Sequence, residues 1–359
     1  MNDTPDFAAL RMIDANANRV REALRVMEDY ARFALNDQQL SAELKLLRHE
    51  LAEVLAFPAL AQSILWRDTE SDVGKVNKTD AEMRRGSLGN VVIAAGKRLS
   101  ESLRVLEECV KTISIAAAQR LEQMRYRGYV VEQTLARIAG NSGARARFAQ
   151  VRLYVLLTES LCHASMGWEK TLDAVLQAGA ENPGKLCIQL REKNLPDGEL
   201  LRRARILTVR CRQAGAVSII NDRPDIAILA DADGIHVGQT DVPCAEARKL
   251  LGPEKIIGVS TEFLAQAQQG LRDGATYIAV GPMFATTTKE KKRIAGPAHA
   301  AEVRGALPEE VPMVAIGGIT LENVGELRKA GCVAVCSAII SDRDPAKVTS
   351  EFLARVSSH

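Results

Sequence analysis

The bulk properties of the sequence exclude several classes of protein before any motif is considered. Its 359 residues are enough for about two domains, and 47 basic against 45 acidic residues leave a net charge of only +2. That balance gives no general attraction for nucleic acid or an anionic membrane, and 4% aromatic content disfavours stacking on nucleobases. The seven cysteines form no CxxC pair, and no stretch reaches the ~18 apolar residues of a membrane helix. We therefore expect a cytoplasmic protein without disulfides.

Residues 1–142 are predicted to form an all-α domain, because apolar residues such as Leu44, Leu47 and Leu51 recur there at helical spacing. One segment of this half occurs twice: NRVREALRVMEDYAR (18–32) returns as KRLSESLRVLEECVK (97–111), at an offset of 79 residues. Two copies indicate a duplicated helical unit and not a solenoid, which needs three or more repeats.

Residues 148–359 are predicted to form a (β/α)8 barrel, because short apolar runs alternate there with amphipathic helical patterns such as 197–215 and 321–331. The eight runs are 153–158, 186–190, 217–221, 234–237, 255–260, 277–281, 312–318 and 333–339. A doubly wound sheet is the weaker alternative, since it needs fewer strands and the first turn carries no GxGxxG.

Polar and charged residues stand where the predicted strands end, which in a barrel is the face that carries the chemistry. In chain order they are Gln189, Arg191, Lys193, Asn221, Asp222, Asp241, Ser260, Thr286, Thr288, Lys289, Gly318, Cys336 and Ser337. Period-2 alternation directs Gln189, Arg191 and Lys193 to the same side, into the barrel mouth. Taken singly, each of these residues has an equally ordinary role in a helix cap or surface ion pair.

Taken together, the strand-end residues indicate a site for phosphorylated molecules. Asp222 and Asp241, with oxygen atoms of a substrate, form the hard oxygen site that Mg²⁺ prefers. Arg191, Lys193 and Lys289 would neutralise a diphosphate bound to that metal. The IGGIT segment (316–320) and the region after strand eight are where barrels commonly bind a single phosphate. His236 lies inside an apolar strand pattern and is interpreted as a hydrogen-bonded core histidine in preference to a base or ligand.

The motifs QLREK (189–193), DGIHVGQTD (233–241), GPMFATTTK (281–289) and IGGIT closely resemble those of thiamin phosphate synthase, a (β/α)8 enzyme. The resemblance implies a Mg²⁺-dependent transferase that joins hydroxymethylpyrimidine diphosphate to hydroxyethylthiazole phosphate and releases pyrophosphate. It implies Mg²⁺ ligands at Asp222 and Asp241 and a pyrimidine contact at Gln189. The implied diphosphate ligands are Arg191, Lys193, Asn221, Ser260 and Lys289, and the implied thiazole phosphate ligands are Thr286, Thr288, Gly318, Cys336 and Ser337. The catalytic residues among these would be Arg191, Lys193, Ser260 and Lys289.

The helical half resembles a domain that is fused to such synthases and linked to hydroxymethylpyrimidine phosphate kinase activity. The resemblance lies in IDANANRVREALRVMEDYARF (13–33), LRHEL (47–51), RDTESDVG (67–74) and KRLSESLRVLEE (97–108). A kinase here would use ATP without a GxxxxGK[ST] loop. Its phosphate ligands would be helix-borne arginines and its metal ligand an aspartate, drawn from Arg19, Arg25, Arg48, Arg67, Asp68, Asp72, Arg98 and Arg104.

Three alternatives stay open at this level. Arginine and glutamate at spacings of three usually make a solvated, ion-paired helix face, so the helical half has an equally ordinary structural, dimerising or regulatory role. The whole chain could also be a sensor of a thiamin precursor that lacks catalysis. Within enzymes, a phosphosugar isomerase needs a monophosphate site but not the QLREK cations. The sequence is compatible with both a monomer and a homo-oligomer.

Overall fold

The chain divides into two units, Met1–Ala139 and Gly140–His359. The structure, a computed structural model, describes residues 7–67, 87–286 and 294–357. Within these ranges no helix is both long and apolar enough to cross a membrane.

The first unit is helical, as predicted. Its helices are α1 (Phe7–Asp29), which continues into a π-helical turn (Tyr30–Ala34), α2 (Gln38–Leu55), α3 (Leu88–Lys111) and α4 (Ile115–Gly140), with a 3₁₀ turn at Ser63–Trp66. Two of the helix starts are explained by side-chain caps. The Asp37 carboxylate accepts the Leu40 amide at 3.0 Å, and the Ser87 hydroxyl accepts the Asn90 amide at 3.2 Å.

The repeated segment supplies the apolar faces of α1 and α3. Positions that correspond across the repeat are buried in both copies: Val20 and Leu99, Leu24 and Leu103, Met27 and Leu106. Each copy also carries, four residues before its end, a glutamate that pairs with an arginine of the following long helix. Glu28 accepts from Arg48 on α2 at 3.1 Å, and Glu107 accepts from Arg125 on α4 at 2.7 Å. The repeat therefore encodes a helix pair with its own interhelical ion pair.

The second unit is a closed barrel of eight parallel strands, which confirms the (β/α)8 prediction and excludes the doubly wound sheet. Closure occurs between β1 and β8, where Leu153 lies opposite Val333. The strands are β1 (Leu153–Leu157), β2 (Leu186–Leu190), β3 (Val217–Asn221), β4 (Gly234–Val237), β5 (Ile256–Thr261), β6 (Tyr277–Val280), β7 (Met313–Ile316) and β8 (Gly331–Val335). The helices are α5 (Ser142–Phe148), α6 (Gly167–Gly179), α7 (Asp197–Gln213), α8 (Pro224–Leu229), α9 (Cys244–Leu251), α10 (Leu264–Arg272), α11 (Gly296–Ala306), α12 (Ser337–Ile340) and α13 (Pro345–Ser357).

Two predicted elements near the end of the barrel differ from the structure. The run 333–339 was expected to be a strand throughout, but β8 ends at Val335 and Ser337 begins the short helix α12. A short apolar run does not distinguish a strand from a helical turn, so the sequence could not locate this change. The segment 321–331 forms a 3₁₀ helix, Val324–Ala330, with a non-helical break at Leu327. Gly325 lowers the helix propensity of that segment.

Helix α5 belongs to the core of the barrel. It precedes β1 and packs Ala144 and Phe148 into the cluster formed by inward-facing strand residues. The Phe148 ring is fully buried and stacks on the Tyr277 ring, with 4.0 Å between centroids and 5° between planes. The apolar filling of the barrel thus comes partly from a helix outside the strand–helix repeat.

We predict that Phe148→Ala destabilises the fragment 140–359 by about 3–5 kcal/mol, since it removes a fully buried ring and leaves a cavity. Urea unfolding followed by circular dichroism measures the change. Phe263→Ala is the matched control, because Phe263 is 48% exposed and should cost less than about 1 kcal/mol. Equal unfolding midpoints for the two variants would contradict the importance of α5.

Candidate active site

A cavity of about 650 Å³ opens at the carboxyl ends of the strands, within the usual size range of small-molecule sites. Every strand-end residue singled out from the sequence that lies in the described ranges contributes to its wall. These are Gln189, Arg191, Lys193, Asn221, Asp222, Asp241, Ser260, Thr286, Gly318, Cys336 and Ser337. Thr288 and Lys289 lie outside the described residues. Residues spread over about 150 positions of sequence are thus gathered around one cavity.

The end of β2 is held by the preceding loop, so that its cations face the cavity. The Arg191 amide donates to the Leu157 carbonyl at 2.9 Å, and the Thr158 hydroxyl donates to the Arg191 carbonyl at 2.7 Å. Arg191 and Lys193 line the cavity, whereas Glu192, between them, points into the helix layer. This is the alternation expected of a strand that carries charges on both of its faces.

Glu192 accepts a hydrogen bond from the Glu159 amide at 2.8 Å and is ion-paired with Arg203 of α7. Arg203 lies 3.5 Å from Glu192 and 2.7 Å from Glu159, and it also pairs with Glu199 on its own helix. Burial raises the pKa of Glu192, while the Arg203 guanidinium and the Glu159 amide favour its ionised form. Arg203 therefore joins the loops after β1 and β2 to the helix that follows.

A pair of carboxylates lies beside these cations. The Asp222 carboxylate accepts from the Asn221 amide at 2.6 Å and from the Lys193 ammonium at 3.4 Å. Burial and the neighbouring Asp241 carboxylate raise the pKa of Asp222, with Lys193 acting in the opposite direction. Asp222 adopts a left-handed backbone conformation, φ 60°, which is uncommon outside glycine. Asp241 is anchored through the Gly238 amide at 2.8 Å.

The far side of the cavity offers backbone groups and hydroxyls in place of charge. Gly317 and Gly318 both have positive φ, 102° and 67°, and a Cβ on Gly318 would overlap the backbone of Phe284 and Ala285. Glycine is therefore required for the chain to turn there. Cys336 lines the same side, and burial raises the pKa of its thiol to about 11. That thiol is protonated at neutral pH.

The cavity floor contains residues that the sequence analysis did not single out. The buried rings of Tyr154 and Tyr277 line it, and their hydroxyls lie 2.9 Å apart. His236 is a hydrogen-bonded core histidine as predicted, with one ring nitrogen 2.9 Å from Tyr277 and the other 2.8 Å from Ser260. A tyrosine in an apolar strand is normally a core residue. The sequence signal for a role in the cavity was that Tyr154 and Tyr277 both stand on inward-facing strand positions.

The arginines predicted for a site in the helical unit do not form one cluster. Arg67 makes two hydrogen bonds to the buried Asp14, at 2.7 and 2.8 Å. Arg19 donates to the side chain of Asn16, three residues earlier on α1, at 3.2 Å. Arg48 pairs with Glu28. Glu28 lies 14 residues beyond Asp14 on α1, which is about 21 Å along the helix axis. Arg104 pairs with Glu107 and Glu108, and Arg25 and Arg98 are exposed.

These arginines therefore lie at different positions along the helical unit, and a site drawn from some of them stays a prediction. Arg67 and Arg19 both contact residues in the first half of α1, Asp14 and Asn16. Asp68 and Asp72 lie outside the described residues.

We predict that Arg203→Met destabilises the barrel by about 3 kcal/mol, because it removes a buried guanidinium and leaves Glu159, Glu192 and Glu199 without their shared cation. The neighbouring Arg202 is the matched control: it is also ion-paired but its side chain is 52% exposed, so Arg202→Met should change stability by less than about 0.5 kcal/mol. Urea unfolding of both variants is the measurement. Similar losses in the two would argue that the Arg203 pairs contribute no more than surface pairs.

Comparison with known proteins agrees with the geometry of the cavity. The Thiamine monophosphate synthase family matches residues 153–339, and the ThiD2 family matches residues 11–134. A thiamine-phosphate synthase of Synechocystis sp. is 38% identical over 99% of both chains, and that of Rhodopirellula baltica is 36% identical over 94% of this chain and 90% of its own.

Among solved structures, thiamine phosphate pyrophosphorylase from Pyrococcus furiosus is 28% identical, covers 59% of this chain and 98% of its own length, and superposes with a TM-score of 0.50. The full-length relatives cover the helical unit as well as the barrel. The prediction of a transferase from the strand-end motifs is thereby confirmed. The chain belongs to the thiamine-phosphate synthase family and carries a ThiD2-family domain before its barrel.

Proposed function

We propose that the barrel joins hydroxymethylpyrimidine diphosphate to hydroxyethylthiazole phosphate, giving thiamin phosphate and pyrophosphate. The observation that carries this proposal is that two cations, Arg191 and Lys193, line the same cavity as two carboxylates, Asp222 and Asp241, with Lys193 3.4 Å from Asp222. A monophosphate alone does not need such a set. A diphosphate bound with a divalent cation does.

The two carboxylates fit a Mg²⁺ ion. Asp241 disfavours ionisation of Asp222, so a cation placed between them would relieve their repulsion. The described residues contain no cluster of three or more histidine, cysteine or acidic side chains suited to a metal. A site with few protein ligands is typical of Mg²⁺, which takes its remaining ligands from water and substrate phosphates. Bound there, Mg²⁺ would offset the charge that develops on the departing pyrophosphate.

The protein's own cations would act on the same charge. Arg191 provides a planar fork for two phosphate oxygens, and Lys193 provides a mobile point charge. Asn221 and Ser260 would complete the diphosphate site, and Lys289, outside the described residues, is assigned there by the family resemblance. The four described residues of this set already line the cavity, so they would stabilise the charge of the departing pyrophosphate more than that of the bound diphosphate.

The thiazole phosphate would bind on the other side of the cavity, against Thr286, Thr288, Gly318 and the start of α12 at Cys336 and Ser337. The reaction would be dissociative: pyrophosphate leaves first, the electron-rich aminopyrimidine tolerates positive charge on its methylene carbon, and the thiazole nitrogen attacks that carbon. No protein nucleophile takes part. The protonated state of the Cys336 thiol supports this, because only a thiolate would compete for the cation.

We predict that Asp222→Asn lowers kcat by about 100-fold and raises the Mg²⁺ concentration needed for half-maximal activity, since it removes one of two charges proposed to hold the metal. Pyrophosphate release at varied Mg²⁺ measures both effects. Asp225→Asn is the matched control, because Asp225 is three residues further on, 55% exposed and paired with Arg223. A wild-type rate and unchanged Mg²⁺ dependence in Asp222→Asn would remove the metal assignment.

For the helical unit we propose phosphorylation of hydroxymethylpyrimidine phosphate by ATP, which would supply the diphosphate used by the barrel. The proposal treats the two halves, 1–142 and 148–359, as separate catalytic modules. It is supported by the ThiD2-family match and by the buried Asp14 that Arg67 holds at one end of α1. Arg67 keeps 41% of its side chain exposed and so remains accessible to a phosphate. In the alternative, a purely structural domain, ion pairs such as Arg67–Asp14 and Arg48–Glu28 would only hold the helices together.

We predict that the intact protein makes thiamin phosphate from hydroxymethylpyrimidine monophosphate, thiazole phosphate, ATP and Mg²⁺. Arg67→Ala should lower this route at least about tenfold while leaving synthesis from the preformed diphosphate unchanged. Arg48→Ala, which breaks the equivalent pair with Glu28 at the other end of α1, should affect neither route. Product from the diphosphate but none from the monophosphate in the wild type would show that the helical unit is not the kinase.

We also propose that the protein is cytoplasmic. None of the seven cysteines, all of which lie in the described residues, forms a disulfide, as expected in a reducing compartment.

A further inference from the structure

A chain of hydrogen bonds crosses the cavity floor from β2 to β5. The Gln189 side-chain nitrogen donates to the Tyr154 hydroxyl at 2.8 Å, and the two tyrosine hydroxyls are 2.9 Å apart. Tyr277 then meets Nδ1 of His236 at 2.9 Å, and Nε2 of His236 meets the Ser260 hydroxyl at 2.8 Å. All five side chains line the cavity. The residues at the two ends of the chain, Gln189 and Ser260, are proposed to touch substrate. The three residues between them lie deeper in the barrel.

With the Gln189 nitrogen donating to Tyr154, counting protons along this chain gives every further bond one direction. Burial raises the pKa of both tyrosines well above the usual value, so each hydroxyl keeps its single proton and donates once. Tyr154 accepts from Gln189 and must donate to Tyr277, its other partner among the described residues. Tyr277 must then donate to Nδ1 of His236. The imidazole proton consequently sits on Nε2 and is donated to Ser260.

The two ends of the chain therefore present opposite polarity to the cavity. The Ser260 hydroxyl receives a bond from His236, which leaves its own proton free to point at a ligand. Gln189 uses its amide nitrogen below the floor, and its carbonyl oxygen has no partner among the described residues. One end of the floor thus donates a hydrogen bond and the other accepts one.

The opposite direction is chemically unfavourable. Turning the Gln189 amide over would reverse every bond, and Ser260 would then donate its proton to His236. Only oxygen lone pairs would remain to face the cavity at Ser260, next to the proposed diphosphate. The observed direction, with the Gln189 nitrogen donating to Tyr154, avoids this conflict.

We infer that Tyr154, Tyr277 and His236 are positioning residues that select an amino substituent on the pyrimidine, by holding the Gln189 carbonyl and the Ser260 hydroxyl proton toward the cavity. This inference rests on the proposed function of the barrel and adds its specificity. An oxo group in place of the amino group would set an acceptor against the Gln189 carbonyl. Sites built for one hydrogen-bond pattern discriminate strongly against the reverse, because the unpaired group remains buried.

The fold holds the centre of this chain in place by packing. The Tyr277 ring occupies the space above Gly258 of β5, where any Cβ would overlap the ring. On another face it stacks on Phe148. Tyr277→Phe consequently removes the hydroxyl while the ring keeps its contacts, which makes it a suitable probe.

The test compares the aminopyrimidine diphosphate with the analogue that carries an oxo group in place of the amino group. The ratio of their kcat/KM values, and the ratio of their dissociation constants from calorimetry, measure the preference. We expect the wild type to prefer the amino compound by about 100-fold or more. Tyr277→Phe and Tyr154→Phe each interrupt the chain and should reduce the preference by about tenfold, the factor that corresponds to one net hydrogen bond.

Thr261→Val is the matched control. Thr261 is buried beside Ser260 and also lines the cavity, but its hydroxyl donates to the Ala279 carbonyl at 3.1 Å and takes no part in the chain. A general packing defect would lower kcat/KM for both compounds and leave their ratio at the wild-type value. We expect this unchanged ratio for Thr261→Val. Tyr154→Phe answers the question by itself if Tyr277→Phe does not fold.

Two results would overturn the inference: a wild type without preference for the amino compound, or an unchanged preference in folded Tyr277→Phe and Tyr154→Phe. The proposed function is judged separately, by whether the wild type makes thiamin phosphate from the amino compound at all. Because the calorimetric ratio does not require turnover, the preference is measured whichever way that result falls.

Discussion

Closure of the sheet between β1 and β8 is the constraint on which the rest of the barrel depends. An open sheet of eight strands would place Gln189 on β2 and Ser260 on β5 three strands apart, on one wall. Closure bends those strands around a common axis, so residues on inward-facing positions meet across a space that side chains must fill. The cavity above and the hydrogen-bonded floor below are both consequences of that geometry.

The cavity is not arranged for the stability of the protein. Asp222 has a raised pKa and a left-handed backbone conformation. The ordinary pKa of an aspartate side chain is 3.8, and folding raises that of Asp222. The free energy of unfolding therefore falls as the pH increases from 3.8 through the raised pKa. Above that range Asp222 therefore opposes folding, with Lys193 offsetting part of the cost. Such a cost is expected where charge is held ready for a ligand.

The sequence was sufficient for the barrel and for the residues around its mouth, because both follow from short-range periodicity. Alternation alone places Arg191 and Lys193 in the cavity and Glu192 behind them, as the structure has them. The partner of Glu192 was not predictable: Arg203 is one of several arginines on α7, and only the packing of that helix selects it.

The same limit explains the arginines of the helical unit. The family resemblance named Arg67 and Arg48 among the candidates for one site, yet their partners Asp14 and Glu28 are 14 residues apart on α1. Which end of a helix a distant residue reaches depends on loop paths, and these have no periodic signal. The end of β8 was misplaced for a related reason, since an apolar run continues unchanged from strand into helix.

The buried tyrosines show why a residue's type and burial do not reveal its role. Within the sequence, Tyr154 and Tyr277 are large side chains in apolar strands, and a phenylalanine at either position would fill the same space. An apolar floor would also avoid the desolvation of two hydroxyls, an imidazole and an amide, which their mutual hydrogen bonds only offset. Packing therefore does not explain the polar atoms. What they add is direction: each hydroxyl can donate only once, so the orientation of one end of the chain fixes that of the other. A barrel interior of this kind sets in advance which atoms the cavity presents at two points of its wall, Gln189 and Ser260.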